Sequence, residues 1–484
     1  MQNDAQGPHK NMTSLSAGDM AAAIRRKEIL PTELVEAHLE RIARLNPHLN
    51  AFVYVDAEGA RRQAKTADAA LKQGRPLGSL HGVPISIKSS IDVVGWPCEC
   101  GSRLRIGYIA ENDAPLISRL RRSGAVLLGN TNTPELLMAY ETDNVVTGRT
   151  SSPWDSERTP GGSSGGEAAA IAARCSAAGV GSDGGGSIRV PAHYSGICGL
   201  KPTPGRIPAT GHFPPSAGPF AQLGVVGPMA RTVGDLEILF ESMAGVEYGD
   251  PSSSPVPVRK PTEGEIDKLR IGFFEEDGVT PVTPETRAAV RTAADALKQT
   301  GMTVEKFLPN DLETARRLWW NLFGRAGGLV LRPLIQGNES KLSPILTEFI
   351  SIVRKEPPLS VDELMNTLLE RDDLRGRFLR QMERYPILLC PVCAIPAFRH
   401  GEREWRVDGR KVEYLQAMSY SQWFNLLGNP AAVVPVGRSP EGLPIGVQIV
   451  GRPFEDEVVL AVARRIEETC GNLREPAFEF DRRM

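Results

Sequence analysis

The sequence predicts an α/β fold built on one extended sheet, and three observations carry that prediction. Helical and strand-type hydrophobic periods follow one another along the whole chain. Several short runs are apolar almost throughout, the pattern of strands buried on both faces. The Pro/Ser-rich connector "PSSSPVPVRKPTEGEI" (251–266) is followed by more strands, so it joins parts of one sheet rather than two independent domains.

In chain order, residues 1–14 are polar and aperiodic and read as a flexible tail, leaving 15–484 as a single domain. From Ser16 to about Gln73 apolar residues fall at helical spacing, as with Leu34, Val35, Leu39, Ile42 and Leu45, and Ser16 with Asp19 resembles a capping box. The period then changes. "GVPISIK" (82–88) alternates, with Val83, Ile85 and Ile87 on one face and Pro84, Ser86 and Lys88 on the other. A helix over "APLISRLRRSG" leads into the strand "GAVLLGN" (124–130), and further helices lie over 167–175 and 231–245. "LRIGFF" (269–274), "YPILLCPV" (385–392), "AAVVPVG" (431–437) and "IGVQIVG" (445–451) read as strands. Residues 309–383 are mainly helical and carry aromatics, a lid-like insertion over one end.

Bulk properties narrow the function. With 484 residues, 41% hydrophobic and 24% charged, the chain has ample material for a core. A net charge of −2 argues against nucleic-acid or anionic-membrane partners, and no stretch reaches membrane-spanning length. The opening "MQNDAQGPHKNMTSL" lacks the apolar run of a signal peptide, and seven cysteines, an odd number, suit a reducing compartment. The expectation is a cytoplasmic monomer or homodimer acting on a small molecule.

Two glycine clusters, "TPGGSSGGEAAA" (159–170) and "VGSDGGGSIRVP" (180–191), each carry serine. Gly184, Gly185 and Gly186 lack the Cβ that would forbid turning successive N–H groups inward, so they predict a nest for an oxyanion. Ser187, at its end, is placed to attack a carbonyl, provided that some base takes its proton. Lysine can serve if desolvation keeps it neutral, and Lys88 lies on the Ser86 face of its strand. From the residues alone Lys88 reads first as a solvated strand-end lysine, and Ser187 as a glycine-rich turn. A phosphate loop is excluded, because neither cluster carries Gly-Lys-Ser/Thr. Gly161-Gly162-Ser163-Ser164-Gly165 matches the G-x-S-x-G elbow, but only His400 lies late enough to complete that triad.

Together, "LHGVPISIK", "GNTNTPEL", "TPGGSSGGEAAAIAA" and "GSDGGGSIRVPAHYSGICGLKPTPGR" resemble the amidase signature family, most densely over 80–206, with a signature core of about 80–250. The resemblance implies an open, twisted, mixed β-sheet core surrounded by α-helices. It implies amide hydrolysis through an acyl-enzyme, with no cofactor and no metal. Ser187 is then the nucleophile, Ser163 the bridging serine after a cis peptide bond, and Lys88 the base. Gly184, Gly185 and Gly186 hold the oxyanion, Ser164 hydrogen-bonds within the site, and Asp183 with Arg189 forms a structural ion pair. Two departures stand out: Ser89 where an acidic residue often follows the lysine, and Ser152 in "TSSPWD" in place of the usual asparagine.

For specificity, Trp319, Trp320 and Phe323 at helical spacing, with Met138 and Tyr140, predict an apolar acyl or aryl pocket, with core packing the alternative for each aromatic. That pocket favours hydrophobic amides, anilides among them, with carbamates or esters as side substrates. The alternative is the glutamine-hydrolysing component of a tRNA-dependent amidotransferase; "IPATGHFPPSAGPFAQLGVVGP" (207–228) departs from that component's pattern. Cys390-Pro-Val-Cys393 and the pair Cys98 and Cys100 read as buried thiols ahead of a metal or redox site.

Overall fold

Eleven strands form one mixed sheet in this computed structural model, which describes residues 12–471 and 476. In chain order the strands are β1 (Phe52–Val55), β2 (Pro84–Lys88), β3 (Val126–Thr131), β4 (Ala178–Asp183), β5 (Cys198–Lys201), β6 (Val225–Ala230), β7 (Arg270–Phe273), β8 (Thr303–Lys306) and β9 (Ile387–Pro391). β10 (Glu404–Val407) and β11 (Arg410–Glu413) make a separate hairpin, and β12 (Ala431–Arg438) and β13 (Pro444–Val450) return to the sheet. The spatial order is β1-β3-β2-β4-β6-β5-β12-β13-β9-β7-β8. β3, β2 and β4 run parallel, as do β9, β7 and β8, while the strands between them pair antiparallel. The sheet continues on both sides of the 251–266 connector, as its sequence predicts.

Helices cover both faces. One face packs the helices Ala17–Arg25, Pro115–Arg122, Val233–Met243, Pro284–Gln299 and Asp456–Cys470 on residues such as Ile85, Ile87 and Val447. The other carries Gly165–Ala172, Arg189–Ser195 and Ser419–Leu427. β2 is therefore buried on both faces, and its alternation separates two interiors rather than core from solvent. The lid consists of Leu312–Trp320, a π-helical turn Asn321–Ala326, and the helices Gly327–Ile335, Pro344–Val353 and Val361–Arg384.

Two expectations need correction. The helical reading of 16–73 misses β1, a four-residue edge strand between two helices whose apolar residues blend into their spacing. Within the supposed tail, Thr13 is buried and Met12 packs on the core; residues 1–11 lie outside the described residues.

Candidate active site

Lys88 ends β2 and Ser182 nearly ends β4, so both lie at the carboxyl edge of neighbouring parallel strands, where open α/β sheets place their sites. The chain between β3 and β4 crosses that edge through Ser163 and Ser164, with Gly162–Ser163 in the cis form, and enters the buried helix Gly165–Ala172. β4 then turns through Gly184–Gly186 into the helix Arg189–Ser195. Gly186 sits at φ 125°, a conformation that only glycine adopts readily, and its missing Cβ would lie 2.7 Å from Ser421 Cβ.

The Lys88 side chain is fully buried. Its amine donates to Ser163 Oγ at 2.7 Å, Ser164 Oγ at 2.9 Å and Ser182 Oγ at 3.0 Å. Three hydroxyls surround it and no carboxylate touches it, so nothing adjacent compensates a positive charge. Burial pulls its pKa down to about 7. The solvated-lysine reading fails on that burial.

Ser187 lines the same cavity as Ser163, Ser182, Asp183 and Gly184, a space of about 60 Å³. The glycine nest is oriented by aromatic donors: Trp319 Nε1 donates to Gly184 O at 3.0 Å, and Tyr140 OH to Gly185 O at 2.9 Å. In a trans peptide the N–H points opposite to the carbonyl, so these bonds turn the next N–H groups away from the rings. For Gly186 that direction leads to Asp183 Oδ1, which accepts its N–H at 2.7 Å. Gly186 is therefore corrected out of the oxyanion donors. The N–H groups of Gly184, Gly185 and Ser187 donate to no described residue and remain available.

Behind the nest, Asp183 and Arg189 pair at 2.9 Å with no exposure of either side chain. Burial opposes the Asp183 charge, but the Arg189 guanidinium holds its carboxyl well below the usual carboxylate range. Gln448 and Asn425 accept the remaining guanidinium N–H groups, so the buried ion pair is fully bonded.

The aromatic pocket forms with one exception. Met138 and Phe323 line the Ser187 cavity, and an adjoining space lined by Met138, Tyr140, Trp319 and Phe323 also reaches Ser187. Trp319 and Phe323 stack at 4.7 Å and 11°. Trp320 does not join them, because consecutive helical residues diverge by about 100°. Its ring packs on Phe349 and its Nε1 donates to Glu356 at 2.7 Å.

Sequence reasoning missed three groups. Ser182 is the third hydroxyl on Lys88. Glu167, fully buried beneath the lysine, accepts from Ser86 Oγ and from Thr131 Oγ1, and burial raises its pKa to about 7. An acidic residue inside the alanine run of 167–175 was the available signal. His212 lines the Ser187 cavity and is kept neutral by burial, its pKa lowered to about 4; its Nδ1 contacts Pro214 O, leaving Nε2 without a described partner. His400 contacts Ser156 O instead of the serines, so the elbow triad does not assemble. All seven cysteines are free thiols, and among the described residues no three His, Cys, Asp or Glu side chains cluster to hold a metal.

A family model described as Amidase matches residues 33–460. Indoleacetamide hydrolase of Bradyrhizobium diazoefficiens is 34% identical over 96% of this chain and 88% of its own length. The acylamidase of Rhodococcus erythropolis is 32% identical over 95% of this chain and 96% of its own length. Glutamyl-tRNA(Gln) amidotransferase of Acidothermus cellulolyticus contributes a relative of the same rank, its GatA-type component, 35% identical over 93% of this chain and 94% of its own length. The crystal structure of a bacterial aryl acylamidase of the amidase signature family superposes with a TM-score of 0.84 at 27% identity, covering 96% of this chain and 97% of that one.

Proposed function

This chain belongs to the amidase family and acts on amide C–N bonds, and from that premise we propose a Ser187 acyl-enzyme mechanism on hydrophobic or aryl amides. One observation carries the mechanism: a buried lysine amine 2.7 Å from Ser163 Oγ, with Ser163 in the same cavity as Ser187.

Neutral Lys88 accepts the Ser163 proton while Ser163 accepts that of Ser187, and Ser187 Oγ bonds to the amide carbon. The carbonyl oxygen becomes an oxyanion held by the free N–H groups of the nest, Gly185 and Ser187 among them. Collapse breaks the C–N bond, and the proton returns from Lys88 through Ser163 to the leaving nitrogen. Water then adds to the Ser187 ester by the same relay and releases the carboxylic acid. Among the described residues no hydrogen bond joins Ser163 Oγ to Ser187 Oγ in this arrangement, so in this proposal that leg tightens as substrate enters. Asp183 and Arg189 hold the nest, and Ser164 and Ser182 fix the amine.

The apolar lining from Met138, Trp319 and Phe323 supports hydrophobic acyl or aryl groups, with carbamates and esters as lesser substrates. The similarity to the amidotransferase component supports a second reading, glutamine hydrolysis within a complex. A panel of anilides, primary amides, carbamates, esters and glutamine decides. Turnover of anilides with none of glutamine supports the first reading, and the reverse overturns it. Lys88→Ala or Ser187→Ala retaining near-normal turnover overturns the mechanism.

A further inference from the structure

The largest space in the lid is not the catalytic one. A cavity of about 380 Å³ opens between the helices Gly327–Ile335 and Pro344–Val353. Its floor is apolar, with Leu331, Ile335 and Phe349 all buried. Its rim is cationic. Arg332 and Arg354 are exposed there, and neither makes a hydrogen bond or ion pair with a described residue. Arg325 lies deeper, its side chain 9% exposed, and its Nε has no hydrogen-bond acceptor. Two carboxylates also face the space. Glu356 is engaged by Trp320 Nε1 at 2.7 Å and by Arg325 at 3.5 Å, which leaves Glu339 against three guanidinium groups.

We propose that this lid cavity binds a small amphipathic carboxylate, its apolar tail on Leu331, Ile335 and Phe349 and its anionic head between Arg332 and Arg354. An enclosed apolar space with a few convergent polar groups is the usual form of a small-molecule site. Guanidinium forks suit a planar carboxylate, forming two parallel charge-assisted hydrogen bonds. The occupant would be felt at the catalytic serine. Phe349 also lines the aromatic space at Ser187 and meets the edges of Phe323 and Trp320, each at 6.2 Å. Phe323 in turn stacks on Trp319, which holds Gly184 O.

The test titrates the full-length protein with decanoate, by calorimetry and tryptophan fluorescence, with and without Ser187 capped by a serine-reactive phosphonate. Saturable binding that survives the cap is expected, with decanol weaker by about tenfold or more. Arg332→Gln with Arg354→Gln, both at exposed positions, should weaken decanoate by a similar factor and leave amide turnover in its absence unchanged. Val353→Trp, which fills the cavity, should abolish binding. Decanoate affinity unchanged by both variants, complete loss of binding on capping, or no saturable binding would each overturn the proposal. So would association with phosphatidylglycerol vesicles in place of saturable decanoate binding, which would mark a membrane-facing patch.

Discussion

The protonation of Lys88 sets the most quantitative expectation. The proposed base works only as the neutral amine, and burial lowers its pKa from 10.5 to about 7. Below that value the ammonium form grows, and each further unit of pH removes a factor of about 10, or about 1.4 kcal/mol. At pH 5 about one molecule in 100 carries the free amine, so kcat/KM should be about 100-fold below its plateau. Because kcat/KM reports groups of the free enzyme, it is the quantity to follow from pH 5 to 9 with an anilide substrate. Glu167→Gln sharpens the test. The carboxylate beneath the lysine favours the ammonium, so removing it should move the acid limb to lower pH. A profile flat to pH 5, or a limb near the ordinary lysine value, would refute the neutral-amine argument. A limb unmoved by Glu167→Gln would refute the electrostatic link while leaving the base assignment standing.

Three more expectations follow from the geometry. Asp183→Asn leaves Arg189 buried without its carboxylate, which should lower stability by about 3–5 kcal/mol and show as a reduced Tm. His38 and His193 are buried and neutral, with pKa values lowered by burial to about 3 and about 4. The unfolded chain therefore binds more protons once pH drops below about 6.5, so stability should fall from there to about pH 4, as thermal melts across that window would show. Phe323→Ala should raise KM for anilides by about tenfold, the effect of about 1.4 kcal/mol of lost apolar contact, whereas Trp320→Ala should leave that KM nearly unchanged. Equal effects in steady-state assays would contradict the lining described here.

Much of this architecture is legible in the residues, and the failures have identifiable physical causes. Long apolar runs such as 126–131 and 444–450 announce buried strands, because nothing polar can face a helix-covered sheet. β4 hides behind its glycines. A Cβ on Gly179 would stand 1.8 Å from Glu167 Oε1, so the strand gives up side chains to admit the helix above it, and with them its strand signature. Lys88, Ser163 and Ser187 stand out by motif, whereas Ser182 and Glu167 reach Lys88 only through the pairing of β2 with β4 and the close seat of that helix. Trp319 and Trp320 are chemically alike in the sequence, and only the helix phase separates the one that lines the cavity from the one that faces Phe349. Gly186 belongs to the glycine motif, yet backbone direction, which no motif encodes, sends its N–H to Asp183.

Every step of the proposed chemistry runs through a covalent bond on one oxygen, so locating that bond is the most direct measurement. The protein is treated with a serine-reactive phosphonate, and separately quenched in acid during ester turnover, and both products are mapped by peptide mass spectrometry. Mass added stoichiometrically at Ser187, absent from Lys88→Ala, and accompanied by loss of amide turnover is the predicted result. Modification at Ser163 or at a cysteine, or full activity with Ser187 occupied, would contradict the account.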